Sequence, residues 1–126
     1  MKIDKKSIKE FYDLDVWRKA HRLVIKIYAI TKTFPDSERF GIISQIRRAS
    51  VSVTANIAEG FSRYHYNNKI NFYYHSRGSV SETQNLLLIA KDLKYLSQNE
   101  ADLLVRDLNE INKMINGLIR SIESQK

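Results

Sequence analysis

The C-terminal part of the chain carries the pattern that most restricts the fold. Apolar residues recur there at spacings of four, three, four, three and four, which places them on one stripe of a helix. These residues are Leu104, Leu108, Ile111, Ile115, Leu118 and Ile122. Such a stripe is buried only when other helices pack along it, so the pattern predicts a bundle of helices.

The chain has few residues that form turns or end helices. One Pro and four Gly serve 126 residues, which indicates a few long elements around one core. Three further periodic segments precede the C-terminal one, and the predicted helices cover residues 15–33, 37–59, 67–96 and 98–123, approximately. Short breaks between long helices favour antiparallel neighbours. We therefore expect an all-α fold, a single antiparallel up-down four-helix bundle over residues 13–124, after a basic N-terminal extension, residues 1–12.

Local signals predict where these helices begin and end. The first should end before Pro35, because the residue preceding a Pro is disfavoured in helical conformation. Residues 36–37 offer a cap for the second helix, and Gly60 is expected to stop it in a left-handed conformation. Ser97 and Glu100 have the spacing of a capping box, which predicts the start of the fourth helix.

Motifs for catalysis or metal binding are not found in the sequence. It contains no Cys, and His21, His65 and His75 lack the companions three or four residues away that helical metal ligands show. It also contains no Gly-rich phosphate loop and no nucleophile motif. We expect no metal site, no cofactor and no enzymatic activity. The N-terminus lacks the apolar segment of a signal peptide and no stretch suits a membrane span, so a cytoplasmic protein is expected.

Basic residues outnumber acidic ones and concentrate near the N-terminus. The net charge is +7, which favours an anionic partner such as RNA or DNA. On the first predicted helix four bases fall within about 100° of one another, and a fifth lies among aromatic residues in the connector 61–66. Bases beside aromatics suit phosphate contact with base stacking; the alternative is a solvated charged face. The candidate nucleic-acid-binding residues are Arg18, Lys19, Arg22, Lys26 and Arg63.

A polar stripe runs beside the apolar stripe of the second predicted helix. Arg48 and Glu59 in it are three turns apart, so their partners are expected from another helix or another subunit. Glu82 on the third predicted helix projects among apolar residues and is expected to be partly buried, with Arg47 or Arg48 as its donor. We favour a network that sets helix register or subunit contact over a ligand or proton-transfer pocket. The stripe comprises Gln45, Arg48, Ser52, Asn56 and Glu59.

The third predicted helix is apolar over much of its circumference. A helix of an isolated four-helix bundle needs only one buried stripe. Surplus apolar surface on one helix favours self-association, so we expect a homo-oligomer.

Several blocks of the sequence match one known family in order. They are residues 13–17 (DLDVW), Phe34-Pro35 with Glu38, residues 45–50 (QIRRAS), residues 56–60 (NIAEG) and residues 77–83 (RGSVSET). On these blocks the chain, from Phe11 to about Ile122, resembles the bacterial four helix bundle proteins, also called 23S rRNA intervening-sequence proteins. Two features depart from the pattern: Ser76 stands where Ala is common, and the first ten residues are not shared.

The resemblance implies a four-helix bundle whose relatives include pentameric, barrel-like assemblies. Some members are encoded within large-subunit rRNA genes, and accessory proteins of diversity-generating retroelements are related. The family implies no established enzymatic activity. Its characteristic residues coincide with the polar stripe and the buried acid expected above, which favours a role in architecture and assembly. Including Gln45 of the stripe, this assembly network is Gln45, Arg47, Arg48, Asn56, Glu59, Gly78, Ser79 and Glu82.

Two functions remain open on this basis. The first is a non-enzymatic, ring-like homo-oligomer that binds RNA or DNA backbone through a basic surface. The alternative is a structural adaptor that recruits a protein partner such as a polymerase or a reverse transcriptase.

Overall fold

The computed structural model describes residues 7–125, which form four α-helices and two short 3-10 turns. The helices are α1 (Asp15–Thr31), α2 (Ile42–Ser62), α3 (Tyr66–Asp92) and α4 (Gln98–Glu123), and the turns are Phe11–Asp13 and Asp36–Glu38. The described residues contain no strand, so the all-α prediction is confirmed. Residues 1–6 of the predicted basic extension lie outside the described residues.

Each helix packs against two others around a common core. α1 contacts α2 and α4, and α3 contacts α2 and α4. Helices α2 and α3 run in opposite directions, because later residues of α2 contact earlier residues of α3. The Ser76 hydroxyl donates to the carbonyl of Val53 at 2.8 Å, and Gly60 lies against the ring of Tyr73. Across α3 and α4, Arg77 donates to the side chain of Asn116 at 2.9 Å.

The buried stripe of α4 differs from the predicted one at its end. Leu104, Leu108, Ile111 and Ile115 are buried as expected, but Ile119 is buried where Leu118 was predicted. An α-helix turns every 3.6 residues, so a stripe at 3.5-residue spacing drifts by about 20° per heptad. Over the two heptads from Leu104 to Leu118 the drift moves the core side from Leu118 to Ile119.

The start of α2 is later than the sequence predicts. Residues 36–38 form a 3-10 turn, and α2 begins only at Ile42. The Glu38 carboxylate accepts hydrogen bonds from the Ile42 backbone N–H at 3.3 Å and from the Tyr95 hydroxyl at 2.8 Å. The second bond raises the pKa of Tyr95. Glu38 thus connects the 3-10 turn before α2 to Tyr95, three residues after the end of α3.

The prediction that Gly60 stops α2 is wrong. Gly60 is buried inside the helix, which continues to Ser62. The carbonyls of Gly60 and Phe61 accept hydrogen bonds from the Lys69 ammonium, both at 2.9 Å. A cation at this position satisfies terminal carbonyls that a left-handed glycine would otherwise cap.

Helix α3 ends at Asp92, four residues before its predicted end. Lys94 adopts a left-handed conformation, with φ of 68°. The backbone N–H of Tyr95 donates to the carbonyl of Ala90, and that of Lys94 donates to the carbonyl of Lys91, both at 2.9 Å. This is the Schellman ending, here without the usual glycine. The capping box of Ser97 and Glu100 then starts α4 as the sequence predicts.

Candidate nucleic-acid interface

The basic strip predicted on α1 is largely paired with acids. Asp107 of α4 lies between Lys19 and Lys26, at 3.9 Å and 3.1 Å from their ammonium groups. The single negative charge of Asp107 offsets one of these two ammonium charges and lowers the positive potential of that surface. Two of the four predicted phosphate contacts therefore lie beside an acid of α4, although the Lys26 side chain is still 59% exposed.

Arg18 is held at the N-terminal end of the same strip. Its guanidinium donates to the Tyr12 carbonyl at 2.9 Å and lies 3.7 Å from the carboxylate of Asp13. Backbone N–H groups of Lys9 and Glu10 donate to that carboxylate and lower the pKa of Asp13, so it stays charged. Arg22 is exposed and has no hydrogen bond or ion pair within residues 7–125. Only Arg22 of the α1 strip presents an unpaired charge there.

Arg63, the candidate nucleic-acid-binding residue of the connector, is also paired with an acid. It forms an ion pair with Glu59 at 2.7 Å and lies over the Phe72 ring at 4.8 Å. The expectation that Glu59 takes its partner from another helix or subunit is therefore wrong. Arg63 directly follows the end of α2, four residues after Glu59, and its side chain reaches back along the last turn of the helix.

Ser52 and Asn56 of the polar stripe lie at the contact between α2 and α3, whereas Gln45, Arg48 and Glu59 are exposed. Ser52 and Ser79 join α2 to α3 through their hydroxyls at 2.7 Å, and the Asn56 amide donates to the carbonyl and the hydroxyl of Ser52. Small hydroxyl side chains at this contact allow the two helices to approach closely. Gly78, one position from Ser79, is exposed and has open space on its side of α3.

Arg47 and Arg48 have different environments although they are adjacent. The Arg47 guanidinium donates to the Thr31 hydroxyl at 2.8 Å and to the Tyr28 carbonyl at 3.3 Å, and it lies 4.6 Å from the centre of the Tyr28 ring. It therefore joins α2 to the last turn of α1. Arg48 is exposed and makes no hydrogen bond or ion pair with the described residues.

Replacing each of these two arginines by lysine tests that difference. Arg47→Lys should lower the free energy of unfolding by about 1–2 kcal/mol, because an ammonium group cannot make the forked contacts with α1 and stacks less well. Arg48→Lys is the matched control and should change stability by less than about 0.5 kcal/mol. Urea unfolding of both variants measures the effect; equal losses would contradict the contacts assigned to Arg47.

The burial predicted for Glu82 is wrong for the single chain. Glu82 is exposed, and neither Arg47 nor Arg48 lies within ion-pair distance of it among residues 7–125. The helical position of Glu82 faces outward from the α2–α3 contact, which the small residues occupy. Together with Gln45 and Arg48 it borders an open groove between α2 and α3. We call this the α2–α3 groove; its lining is Phe40, Ser44, Gln45, Arg48, Ala49, Ser52 and Glu82.

A second groove runs between α1 and α2, and its chemistry is different. It has a volume of about 470 Å³ and three guanidinium groups in its walls, with no carboxylate. The phenyl ring of Phe40, 89% exposed, lies at the border with the α2–α3 groove. We call it the α1–α2 groove; its lining is Tyr28, Arg39, Phe40, Ile43, Ser44, Arg47, Arg48 and Val51.

The sequence did not reveal Arg39 and Phe40 as site residues. A second helix predicted from residue 37 placed both of them within its first turn. In the structure they lie between the 3-10 turn and α2, and both are exposed. A basic residue next to an aromatic residue, a few positions after a proline, is the signal that could have identified them.

Within the described residues, 7–125, no cluster of three or more metal-binding side chains occurs. None of the four helices combines the length and apolarity needed to cross a membrane. Neither observation adds a ligand to the two grooves.

The sequence was next compared with known proteins. The model of the family described as 23S rRNA-intervening sequence protein matches residues 12–117. The chain belongs to this family. The matched residues include all of α1, α2 and α3 and most of α4, and therefore both grooves. No curated protein matches the sequence.

A solved structure of the S23 ribosomal protein family shares the fold of this chain. It is a protein of unknown function from Bacteroides thetaiotaomicron, 24% identical, with a TM-score of 0.77. The similarity covers 83% of this chain and 95% of the other. At this level of identity the likeness supports the arrangement of helices and does not identify a ligand.

Proposed function

We propose that this chain is a non-enzymatic, nucleic-acid-associated protein of the cytoplasm that binds the phosphate backbone of RNA or DNA. The observation that carries the proposal is the α1–α2 groove, where Arg39, Arg47 and Arg48 meet without any carboxylate. Uncompensated guanidinium groups favour phosphate, which they can bind through two parallel hydrogen bonds. The family name, which refers to 23S rRNA, is consistent with such a ligand.

The proposal moves the main contact surface from α1 to the start of α2. On α1, Asp13 and Asp107 lie beside three of the four bases. Arg39 and Arg48 have no acidic partner among the described residues, and both are exposed. Charge that is exposed and unpaired produces the stronger attraction for an anion. Arg22 adds a further free charge on α1.

We also propose that the subunit is an up-down four-helix bundle and that several copies form a ring-like homo-oligomer, a pentamer by family resemblance. Apolar side chains remain exposed on α3, where Tyr74, Leu88 and Ile89 are each more than 40% exposed. A second copy packed against this face would cover them and the open side of Gly78. Sedimentation equilibrium of the purified chain gives the subunit number, and a purely monomeric protein would contradict this part of the proposal.

A salt titration of RNA binding tests the proposed backbone contact. Each phosphate contact releases condensed counterions, so the association constant of the wild type should fall steeply as salt rises. Arg39→Gln with Arg48→Gln should weaken binding about 10-fold or more and reduce the slope of the log–log plot by about two. Fluorescence anisotropy with labelled oligonucleotides measures both quantities.

The control removes the same amount of charge from α1. Lys19→Gln with Lys26→Gln should change the affinity by less than about threefold, because neither lysine lines the α1–α2 groove and both share the carboxylate of Asp107. If this control weakens binding as strongly as the arginine pair, the contact surface is on α1. If the wild type binds no nucleic acid at low salt, the backbone-binding proposal fails.

The alternative function is a structural adaptor for a protein partner such as a polymerase or a reverse transcriptase. The observation that favours it is the number of large apolar side chains left exposed, including Ile25 on α1 and Leu103 on α4 at 50% or more. Such surface is typical of protein contacts. Co-purification that persists at high salt, together with weak nucleic-acid binding, would support the adaptor.

A further inference from the structure

Phe40 is the apolar side chain whose position in the described chain is hardest to explain by folding. Its ring is 89% exposed, although Phe is usually among the more buried residue types. It lies between the 3-10 turn and α2 and contributes nothing to the buried core. An aromatic ring this exposed adds little to folding stability, and its surface is accessible to a ligand.

The surroundings of Phe40 select an anionic ligand. The Arg39 guanidinium lies 5.9 Å from the ring centre, and Arg48 lines both grooves that meet at Phe40. Among the described residues, the one carboxylate in the linings of the two grooves is that of Glu82, in the α2–α3 groove. The α1 side therefore combines an accessible aromatic face with positive charge.

We propose that Phe40 stacks on an unpaired base of single-stranded nucleic acid, while Arg39 and Arg48 contact the phosphates beside that base. This inference deepens the proposed function and rests on it. A base presents a flat face that stacks on an aromatic ring whatever its identity, so the site selects strand state and not sequence. In a duplex each base is already stacked and paired, and Phe40 has no base face to contact.

The groove suits a nucleotide in size and in lining. Its volume of about 470 Å³ lies within the range of roughly 300–1,000 Å³ that small-ligand pockets occupy. Ser44 adds a hydroxyl to the wall between Phe40 and Arg48, and Tyr28 presents the ring on which Arg47 stacks. Hydrogen bonds to α1 fix the Arg47 guanidinium, so its orientation in the lining of the groove is set before a ligand binds.

The chain offers a matched control for Phe40. Tyr64 is an aromatic of similar exposure, 91%, in the connector after α2. The 21 residues of α2 separate the two rings by roughly 30 Å at 1.5 Å per residue. Arg63, the base beside Tyr64, is paired with Glu59, so the connector has the aromatic ring without the free charge.

The test compares one RNA sequence as a single strand and as a duplex, with the full chain and its variants at fixed salt. Phe40→Ala should weaken binding of the single strand about 5- to 100-fold, the range for loss of one stacked base. The same variant should change duplex binding less than twofold. Tyr64→Ala should leave both affinities unchanged. In Phe40→Trp, single-stranded RNA should quench the new tryptophan emission, and the duplex should not.

The outcomes separate this inference from the proposed function. If the wild type binds RNA and Phe40→Ala binds the single strand equally well, stacking on Phe40 is overturned and backbone binding stands. Equal losses for single strand and duplex also overturn it. A change in the mass of the oligomer in Phe40→Ala would make Phe40 a subunit contact and overturn the inference as well. If the wild type binds neither RNA, both proposals fail.

Discussion

Gly60→Ala should lower the free energy of unfolding by about 1–2 kcal/mol, although alanine is the better helix former. A methyl group at Gly60 would lie 2.6 Å from Cε1 and 2.9 Å from Cδ1 of Tyr73, closer than carbon atoms approach without repulsion. Tyr73 is buried with 1% of its surface exposed, so its ring has little room to move. Overpacking of this kind costs about 1–3 kcal/mol, more than the roughly 1 kcal/mol that helix propensity returns. Urea unfolding followed by circular dichroism measures the loss.

Gly78→Ala is the control, because it makes the same substitution in the middle of α3. Nothing lies within 4 Å of the added methyl group. This variant should gain about 0.5–1 kcal/mol from helix propensity alone. A gain at Gly60 would contradict the close contact with Tyr73. A loss at Gly78 would show that the second copy of the proposed oligomer packs too closely against that face of α3 to admit a methyl group.

At alkaline pH, Tyr73 should make the protein less stable than its Tyr73→Phe variant. Burial raises the pKa of Tyr73 from 10.0 to about 12, because the ionised phenolate is poorly solvated in the core. The unfolded chain releases this proton near pH 10 and the folded chain retains it, so stability falls with rising pH between about pH 10 and 12. Below pH 10 the hydroxyl is protonated in both states and the free energy of unfolding is unaffected; at pH 12 it is lower by about 2 kcal/mol.

The wild type and Tyr73→Phe differ in one hydroxyl group, so the difference between their free energies of unfolding isolates its ionisation. At pH 8 they should differ by less than about 1.5 kcal/mol, since the ring and nearly all of its volume are kept. Between pH 10 and 12 the wild type should lose about 2 kcal/mol more than the variant in urea unfolding. Tyr95, whose pKa is also raised, and the lysines titrate in both proteins and cancel in the comparison. Parallel stability curves would show that Tyr73 ionises normally.

The positions of the helices were predictable where a signal is local. The capping box of Ser97 and Glu100 involves residues three apart, and it marks the start of α4 at Gln98 in both sequence and structure. Pro35 separates the first two helices for an equally local reason. The ends of α2 were predicted wrongly, because its start depends on the hydrogen bond that Tyr95 donates to Glu38 and its end on those that Lys69 donates. Those partners lie on other elements of the fold.

The candidate site was predicted less well than the fold. Helical projection correctly placed Lys19 and Lys26 on one side of α1, but it could not show that Asp107 lies opposite them. It likewise treated Arg47 and Arg48 as equivalent, whereas α1 binds only the first of them. Charge counted along a sequence does not distinguish a free guanidinium from a paired one.

The sequence by itself determined that this chain is helical, where its long helices lie approximately, and that it carries a net positive charge. These properties depend on periodicity, caps and composition, which act over a few residues of the same chain. The tertiary structure alone decided which glycine is packed against an aromatic ring, which bases are neutralised, and where a phenyl ring meets unpaired arginines. These depend on which faces of the helices meet, because packing and ion pairing act between residues that are distant in sequence and close in space.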